Sequence, residues 1–171
     1  MKVGYVVLYE DRELVISKNH TLLQKKIIKD YDEFEDTNVP WKNESSQIKK
    51  VQILDQVKSN CMRKWIEDCI NLTKLINFKN LDISDCTDFS YMFCNCELLQ
   101  DINELENWNI SNGTDFSYMF AYCKSLQRIS LSNTLDILRE DMFNNCSPIL
   151  KIHWKKHIYT YADLLEYEEI F

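Results

Sequence analysis

Apolar residues recur at a fixed distance along the middle of the chain. The string TDFSYMFCNC, residues 87–96, returns 27 residues later as TDFSYMFAYC, residues 114–123. The wider stretches 80–100 and 107–127 are identical at 13 of 21 positions. A C-x-x-[LI]-x-x-[LI] pattern follows four cysteines spaced 27, 27 and 23 residues apart: Cys69, Cys96, Cys123 and Cys146. A period of this length is typical of solenoid repeats.

Within each period, the pattern predicts a helix followed by a strand. Phe89, Met92, Phe93 and Cys96 stand at i, i+3, i+4 and i+7, which is the spacing of one apolar helical face. Thr87 is a good helix N-cap, and an aspartate follows it in the first turn. The segments LTKLINF, LQDINEL, LQRISL and ILKIHW then predict short strands. Such a unit buries its apolar face only against its neighbours, so the units are expected to stack.

The repeat has the features of a known family. The runs SNGTDFSYMFAYCKSLQRISL and SDCTDFSYMFCNCELL resemble the BspA-type leucine-rich repeat of bacterial surface proteins. In that family a polar turn, an MF-x-x-C helix and an L-x-x-L-x-L strand make each repeat. The resemblance covers residues 61–154, and it implies a curved solenoid that binds proteins and has no catalytic machinery.

The expected fold class is therefore α/β. It consists of a short leucine-rich-repeat solenoid of about four helix–strand units, residues 59–154, between two caps. Residues 1–58 are expected to form an N-terminal α/β cap, and residues 155–171 a C-terminal capping helix. Caps are expected because an open sheet edge invites aggregation.

Both ends of the chain carry their own patterns. GYVVLYE and ELVIS predict two strands joined by a tight acidic turn, and VQILDQV predicts another strand that pairs with this hairpin. YTYADLLEYEEIF predicts a helix over the last strand. TLLQKKIIKDYDEF predicts an amphipathic helix with four aliphatic residues towards the core: Leu22, Leu23, Ile27 and Ile28.

The strands offer one candidate binding surface. Side chains alternate along a strand, so residues between the leucines are expected on the concave face of the solenoid. The first column comprises Lys74, Asp101, Arg128 and Lys151. The second column comprises Ile76, Asn103, Ser130 and His153. Two interpretations stay open: a ladder of ion pairs that each contribute about 0–1 kcal/mol, or a strip that recognises a partner.

An acidic segment offers a second candidate surface. A run of charge is usually a solvated face, but aromatic residues within it favour a contact. The acidic patch comprises Asp30, Asp32, Glu33, Phe34, Glu35 and Asp36. The repeated Tyr91 and Tyr118 could form a paired aromatic site, although repeated packing in a stack is the favoured interpretation.

Composition excludes several classes of function. The net charge of −7 argues against direct binding to nucleic acid, which needs a basic footprint. With only Gly4 and Gly113, no glycine-rich phosphate loop can be written, and H-E-x-x-H and G-x-S-x-G are also absent. We therefore expect no enzyme and no cofactor.

The seven cysteines and the lack of a leader bear on the compartment. An odd number of cysteines without an export signal favours free thiols. A zinc site at Cys86, Cys94 and Cys96 is disfavoured, because C-x7-C-x-C lacks the C-x2-C pair of common sites. No apolar run approaches the ~18 residues of a membrane span. A cytoplasmic location is expected, or an extracellular one if a leader was removed.

Two hypotheses for function follow. The first is a non-enzymatic protein-binding module of the leucine-rich-repeat type. The alternative is a small acidic inhibitor, encoded by a phage or mobile element, of a bacterial CRISPR-like defence nuclease. It would mask a basic nucleic-acid channel with the acidic patch or the acidic C-terminus, so its partner would be a basic nucleic-acid-binding protein. Neither hypothesis involves a membrane or direct contact with nucleic acid.

Overall fold

The chain folds into a mixed α/β solenoid of about four turns. The computed structural model describes residues 2–102, 104–135 and 138–166. Within those ranges the strands are β1 Lys2–Tyr9, β2 Glu13–Ser17, β3 Ile27–Glu35, β4 Lys50–Ile53, β5 Val57–Lys58, β6 Lys74–Ile76, β7 Leu81–Asp82, β8 Asp101–Ile102, β9 Arg128–Ser130, β10 Lys151–Trp154 and β11 His157–Thr160. The helices are α1 Tyr161–Glu166 and the 3-10 turns Lys42–Gln47, Phe78–Asn80, Leu105–Asn107 and Glu140–Phe143.

The N-terminal hairpin is continuous with the first strands of the solenoid. β1 and β2 pair antiparallel around a turn in which Arg12 has φ 65°. β2 then pairs parallel with β4, and β4 with β6, giving the sheet order β3-β1-β2-β4-β6. The predicted hairpin and the predicted further strand are both confirmed. The apolar run of β1 is unbroken because the strand is covered on both faces. Val6 and Leu8 lie in the main core, and Val7 and Tyr9 lie in a second cluster.

The opposite face of the hairpin is also covered. Val7, Tyr9 and Val15 form a small second cluster with the partly buried Leu23 and Leu54. The backbone N–H of Leu23 donates to the Tyr9 hydroxyl at 2.8 Å, which fixes the covering segment. The outward face of the sheet is therefore closed over β1 and β2.

The helix predicted within residues 21–34 is wrong. Ile27–Glu35 is strand β3, which pairs antiparallel with β1 through several irregular registers. Leu22 and Ile28, expected in the core, are 50% and 41% exposed, whereas Tyr31 and Phe34 are buried. Bulges shift the side chains between faces, so buried residues three apart imitate a helical spacing. In place of an α/β cap, the described N-terminal residues form strands and one 3-10 helix.

The repeated element is a run of turns in the first three coils and includes the 3-10 helix Glu140–Phe143 in the fourth, so the predicted α-helices are wrong. Tyr91 and Asn95 have positive φ, at 58° and 63°, as do their equivalents in the neighbouring coils. The Met92 N–H donates within the coil to Phe89 O at 3.2 Å, but the Phe93 N–H donates to Met119 O in the next coil at 2.8 Å. A turn that recurs every four residues reproduces the i, i+3, i+4, i+7 apolar spacing without a helix.

The predicted stacking of the coils is confirmed by an aromatic column through the core. The Phe93 and Phe120 rings are 5.6 Å apart at 7°, and the Phe120 and Phe143 rings are 5.5 Å apart at 14°. Phe78 and Tyr161 extend the column at its two ends, at 6.3 and 6.4 Å. Equivalent side chains therefore pack on their own copies, which explains why the sequence repeats them.

The C-terminal end is covered by a hairpin and one short helix. β11 pairs antiparallel with β10, and α1 buries Tyr161 and Leu164. The predicted capping helix is confirmed over residues 161–166, while residues 157–160 form a strand. The part of that prediction on residues 167–171 lies outside the described residues.

Candidate functional site

Parallel pairing brings most of the predicted first column into line. Arg128 on β9 lies between Asp101 on β8 and Lys151 on β10. Lys74 on β6 lies beside Lys50 on β4, in the other sheet. These four predicted residues are exposed and Lys50 is partly exposed. We call Lys50, Lys74, Asp101, Arg128 and Lys151 the strip.

The strip crosses a break between the two sheets. Among the described residues, β6 and β8 share no strand pairing, and the second sheet has the order β11-β10-β9-β8. Lys74 and Asp101 both line a cavity of about 320 Å³ at this break. One more bond crosses it, from the Lys79 N–H to the Glu104 carboxylate at 2.7 Å. The outward surface is thus indented in the middle of the strip.

A larger groove lies along the second sheet. Its volume is about 760 Å³, and residues from three successive coils line it. We call it the sheet groove; its lining includes Asp101, Lys124, Arg128, Ser147, Ile149 and Lys151. At its rim, Lys124 Nζ donates to a Glu97 carboxylate oxygen at 2.7 Å.

Ile149 departs from the repeat and lies in this groove. The sequence places it in the pattern position that Leu126 fills one coil earlier, and Leu126 is fully buried. Ile149 is instead 79% exposed, while Leu150 takes the buried place. The turn that makes this shift is closed by the Leu150 N–H, which donates to Ser147 O at 2.9 Å. A large aliphatic side chain is therefore presented to solvent among cationic groups.

The second column is less accessible. Ile76, Ser130 and His153 are each partly buried, and Ser130 lies beside His153 in the β9–β10 register. Asn103, the remaining member, lies outside the described residues. The three described members of the second column are therefore less accessible than the first column.

The acidic patch is not a continuous surface. Phe34 and Asp36 are buried, so this structure does not present their side chains to a partner. Phe34 packs edge-on against Trp41 and Trp65, and an Asp36 carboxylate oxygen accepts the Asn60 N–H at 3.1 Å.

Of the remaining patch residues, two already have cationic or histidine partners. Asp30 contacts His20 at 2.9 Å and Glu33 contacts Lys2 at 2.5 Å. Glu35 is exposed, and Asp32 lies in the same strand, β3. Partnered and buried acids give the inhibitor hypothesis no support from this segment.

The repeated tyrosines pack on each other. The Tyr91 and Tyr118 rings are stacked at 5.1 Å and 22°, and Lys64 Nζ lies 4.9 Å from the Tyr91 ring centre. All three side chains are half-buried. This arrangement agrees with repeated packing, the interpretation favoured from the sequence.

The cysteines are structural thiols. All seven are free, and within the described residues no cluster of His, Cys, Asp or Glu could hold a metal ion. The Cys96 thiol donates to Ile66 O at 3.2 Å and the Cys123 thiol to Phe93 O at 3.1 Å, so each binds the preceding coil. Burial raises the pKa of Cys94 and of Cys146 to about 12, which suppresses the nucleophilic thiolate.

Sequence reasoning missed two contributors to this surface. Lys50 belongs to the segment IKKVQI, which stands 24 residues before LTKLIN and could have been recognised as an earlier, cysteine-free copy of the strand. The exposure of Ile149 had a weaker signal: its repeat follows after 23 residues where the others follow after 27.

Comparison with known proteins identifies a family for most of the chain. A family described as "Mycoplasma protein of unknown function, DUF285" matches residues 31–154. The chain belongs to this family. Its assignment is consistent with the BspA-type resemblance, but the family's own function is unknown. No curated protein and no solved structure matches the chain. Among the described residues, no helix has the length and apolar character to cross a membrane.

Proposed function

We propose that this chain is a non-enzymatic protein-binding module of the BspA-type leucine-rich-repeat kind. Its binding surface is the outward face of the parallel strands, centred on the strip and the sheet groove. The observation that carries the proposal is Ile149, which is 79% exposed where the preceding coil buries its equivalent. Polar and cationic side chains line the sheet groove around Ile149, and an apolar centre within a polar rim is the usual composition of a protein interface.

The solenoid architecture supports this proposal. Stacked coils place equivalent residues of successive strands side by side, which gives an extended surface of the kind that repeat proteins use for binding. The segment around Leu23 covers this face over β1 and β2, whereas the strip residues on β4 and the later strands are exposed or partly exposed. The exposed Ile149 therefore lies on the part of this face that the Leu23 segment does not cover.

The chemistry of the described side chains supports a non-enzymatic role. The Cys94 and Cys146 thiols are poor nucleophiles, because burial raises the pKa of each to about 12. His20 is bound to Asp30 and stacks on Tyr5 at 5.1 Å, and the His157 ring contacts Lys155 O at 3.0 Å. These contacts supply an ordinary structural role for both imidazoles.

Site-specific photo-crosslinking in cells that express the full chain tests the proposal. A photo-reactive phenylalanine analogue is placed at position 149 or at position 22, since Leu22 is a half-exposed aliphatic residue outside the strip. We expect a discrete protein adduct from position 149 and none from position 22. The adduct is identified by mass spectrometry.

Matched charge variants complete that experiment. Ile149→Glu is expected to abolish capture of the crosslinked protein by the affinity-tagged chain, whereas Leu22→Glu is expected to leave it unchanged. Both variants introduce the same charge at an exposed aliphatic position, since Ile149 is 79% and Leu22 is 50% exposed. Capture that survives Ile149→Glu but fails with Leu22→Glu would contradict the proposed surface.

A further inference from the structure

We infer that the strip and the sheet groove bind an acidic peptide segment that carries at least one large apolar residue. This inference rests on the proposed function and names the chemistry of its partner. Two independent features of the surface carry it: the sign of its charges and the exposed aliphatic side chain at its end.

The charges of the strip are opposite in sign to those of the chain. The whole protein has 27 acidic and 20 basic residues, for a net charge of −7. Four of the five residues in the strip are nevertheless cationic, with Asp101 the exception. Lys124 adds a further cation to the wall of the sheet groove, although Glu97 partners it. Potentials of opposite sign attract across an interface, so this surface selects an acidic partner.

The positions of the cations suit an extended ligand. Arg128 and Lys151 occupy the same register on adjacent parallel strands, so they stand about 4.8 Å apart in the sheet direction. Lys74 and Lys50 repeat that spacing on the other side of the break. A peptide that crosses the strands would meet these cations in succession, with Asp101 and its flanking cavity between the two pairs.

Ile149 gives the ligand an apolar requirement. It lies in the wall of the sheet groove with Arg128 and Lys151, and it is the most exposed of the large apolar residues in the described chain. An apolar side chain of the ligand that packs on it would remove both from water. A ligand with acidic groups alone would leave this contact unused.

A peptide fits this surface better than a nucleic acid does. A polyanion with regularly spaced phosphates would place negative charge beside Asp101 in the middle of the strip, where like charges repel. Of the described strip and groove residues, none is an aromatic platform on which a base could stack. A peptide can place an uncharged residue opposite Asp101.

Fluorescence anisotropy on the full chain tests the inference with defined probes. The main probe is a fluorescein-labelled octapeptide of alternating glutamate and leucine. The matched probes are alternating glutamate and serine, alternating lysine and leucine, and an octameric oligothymidylate. We expect the glutamate–leucine peptide to bind most tightly and its affinity to fall about tenfold or more between 50 and 500 mM salt, because salt screens exposed charges.

Four variants assign the binding to the surface. Arg128→Glu and Lys151→Glu are each expected to weaken binding of the glutamate–leucine peptide about fivefold to tenfold. Ile149→Ser is expected to reduce the preference for leucine over serine in the probe. Lys26→Glu makes the same charge change on a lysine that is 79% exposed and lies outside the strip, and it is expected to leave affinity unchanged.

Several outcomes would overturn the inference. They are equal affinity for the lysine–leucine peptide, tighter binding of oligothymidylate, or an Arg128→Glu effect no larger than that of Lys26→Glu. Concentration-dependent dimerisation that Arg128→Glu abolishes would assign the surface to a second copy and would also overturn it. If these probes fail while crosslinking at position 149 still captures a protein, the proposed function stands and only the partner chemistry is wrong.

Discussion

Gly113 shows how a single residue adapts one coil of the repeat. A Cβ atom at this position would lie 2.3 Å from Cζ of Phe116, which is too close for contact without a shift of the ring. In the preceding coil Cys86 stands at the equivalent place and is fully buried with Phe89. The Phe116 ring stacks on Phe89 at 5.1 Å and 4°, so its position depends on the missing side chain.

Gly113→Ala is therefore expected to destabilise the chain by about 1–2 kcal/mol, the usual cost of forcing a packed side chain aside. Urea unfolding followed by tryptophan fluorescence gives the free energy of unfolding. In a Phe116→Ala background the same substitution is expected to cost much less, because the ring it displaces is gone. An equal cost in both backgrounds would place the strain in the backbone and contradict this account.

At the scale of the element, the repeated turn is defined by its positive φ angles. Tyr122 has φ 61°, and its side chain is 42% exposed, so substitutions there report on the backbone more than on packing. A left-handed conformation favours glycine and asparagine and penalises β-branched residues. An α-helix has the opposite preference, since glycine is among its poorest residues.

The stability order at position 122 is expected to be glycine and asparagine first, then alanine, then valine. Tyr122→Val should cost about 1–2 kcal/mol, the penalty for a side chain in the left-handed region. Tyr122→Gly should lie within about 0.5 kcal/mol of the parent, because relief of strain offsets the entropy of glycine. Gln127, exposed and without positive φ, serves as the control series, in which glycine is expected to fall below valine. Alanine above glycine at position 122 would restore the helical interpretation.

The elements also show what hydropathy can and cannot resolve. It located every strand that follows the repeated cysteines, because alternation and period both mark them. It did not separate a four-residue turn from a helix, since both bury Phe89, Met92 and Phe93 on one side. A helix forms its backbone hydrogen bonds within one segment, whereas these turns form many of theirs between coils. The spacing of apolar residues does not distinguish the two arrangements.

The candidate site was predictable to the extent that it follows the period. Asp101, Arg128 and Lys151 were aligned correctly from the repeat alone. The exposure of Ile149 depends on a one-residue shift in the local turn, and the burial of Phe34 depends on a distant tryptophan pair. Neither of these is encoded in local patterning, because each is decided by residues far along the chain or by turn geometry.

For the whole molecule, the N-terminal region and the first coil share one core. The Trp41 and Trp65 rings meet edge-on at 6.0 Å, and Phe34 contacts both rings at 5.2 and 5.5 Å. The indole N–H of Trp65 donates to Asp36 O at 3.1 Å, and that of Trp41 donates to Trp65 O at 2.8 Å. Strand β4 meanwhile pairs on one side with β2 and on the other with β6.

A fragment of residues 59–154, the repeats alone, is therefore expected not to fold. Without residues 1–58, Trp65 is exposed and its indole N–H loses Asp36 O as its acceptor. The edge of β6 that pairs with β4 is also left unpaired. Each buried aromatic exposed in this way forfeits about 3–5 kcal/mol, which is a large share of the stability of a small domain. Circular dichroism and size-exclusion chromatography of the fragment, beside the full chain, measure the outcome.

Phe34→Ala in the full chain separates the contribution of the shared core from that of the strand pairing. This variant is expected to lower the unfolding midpoint without loss of the fold. A fragment with a sharp unfolding transition and a monomeric elution volume would show that the coils stabilise themselves, and the N-terminal sheet would then be an accessory to them.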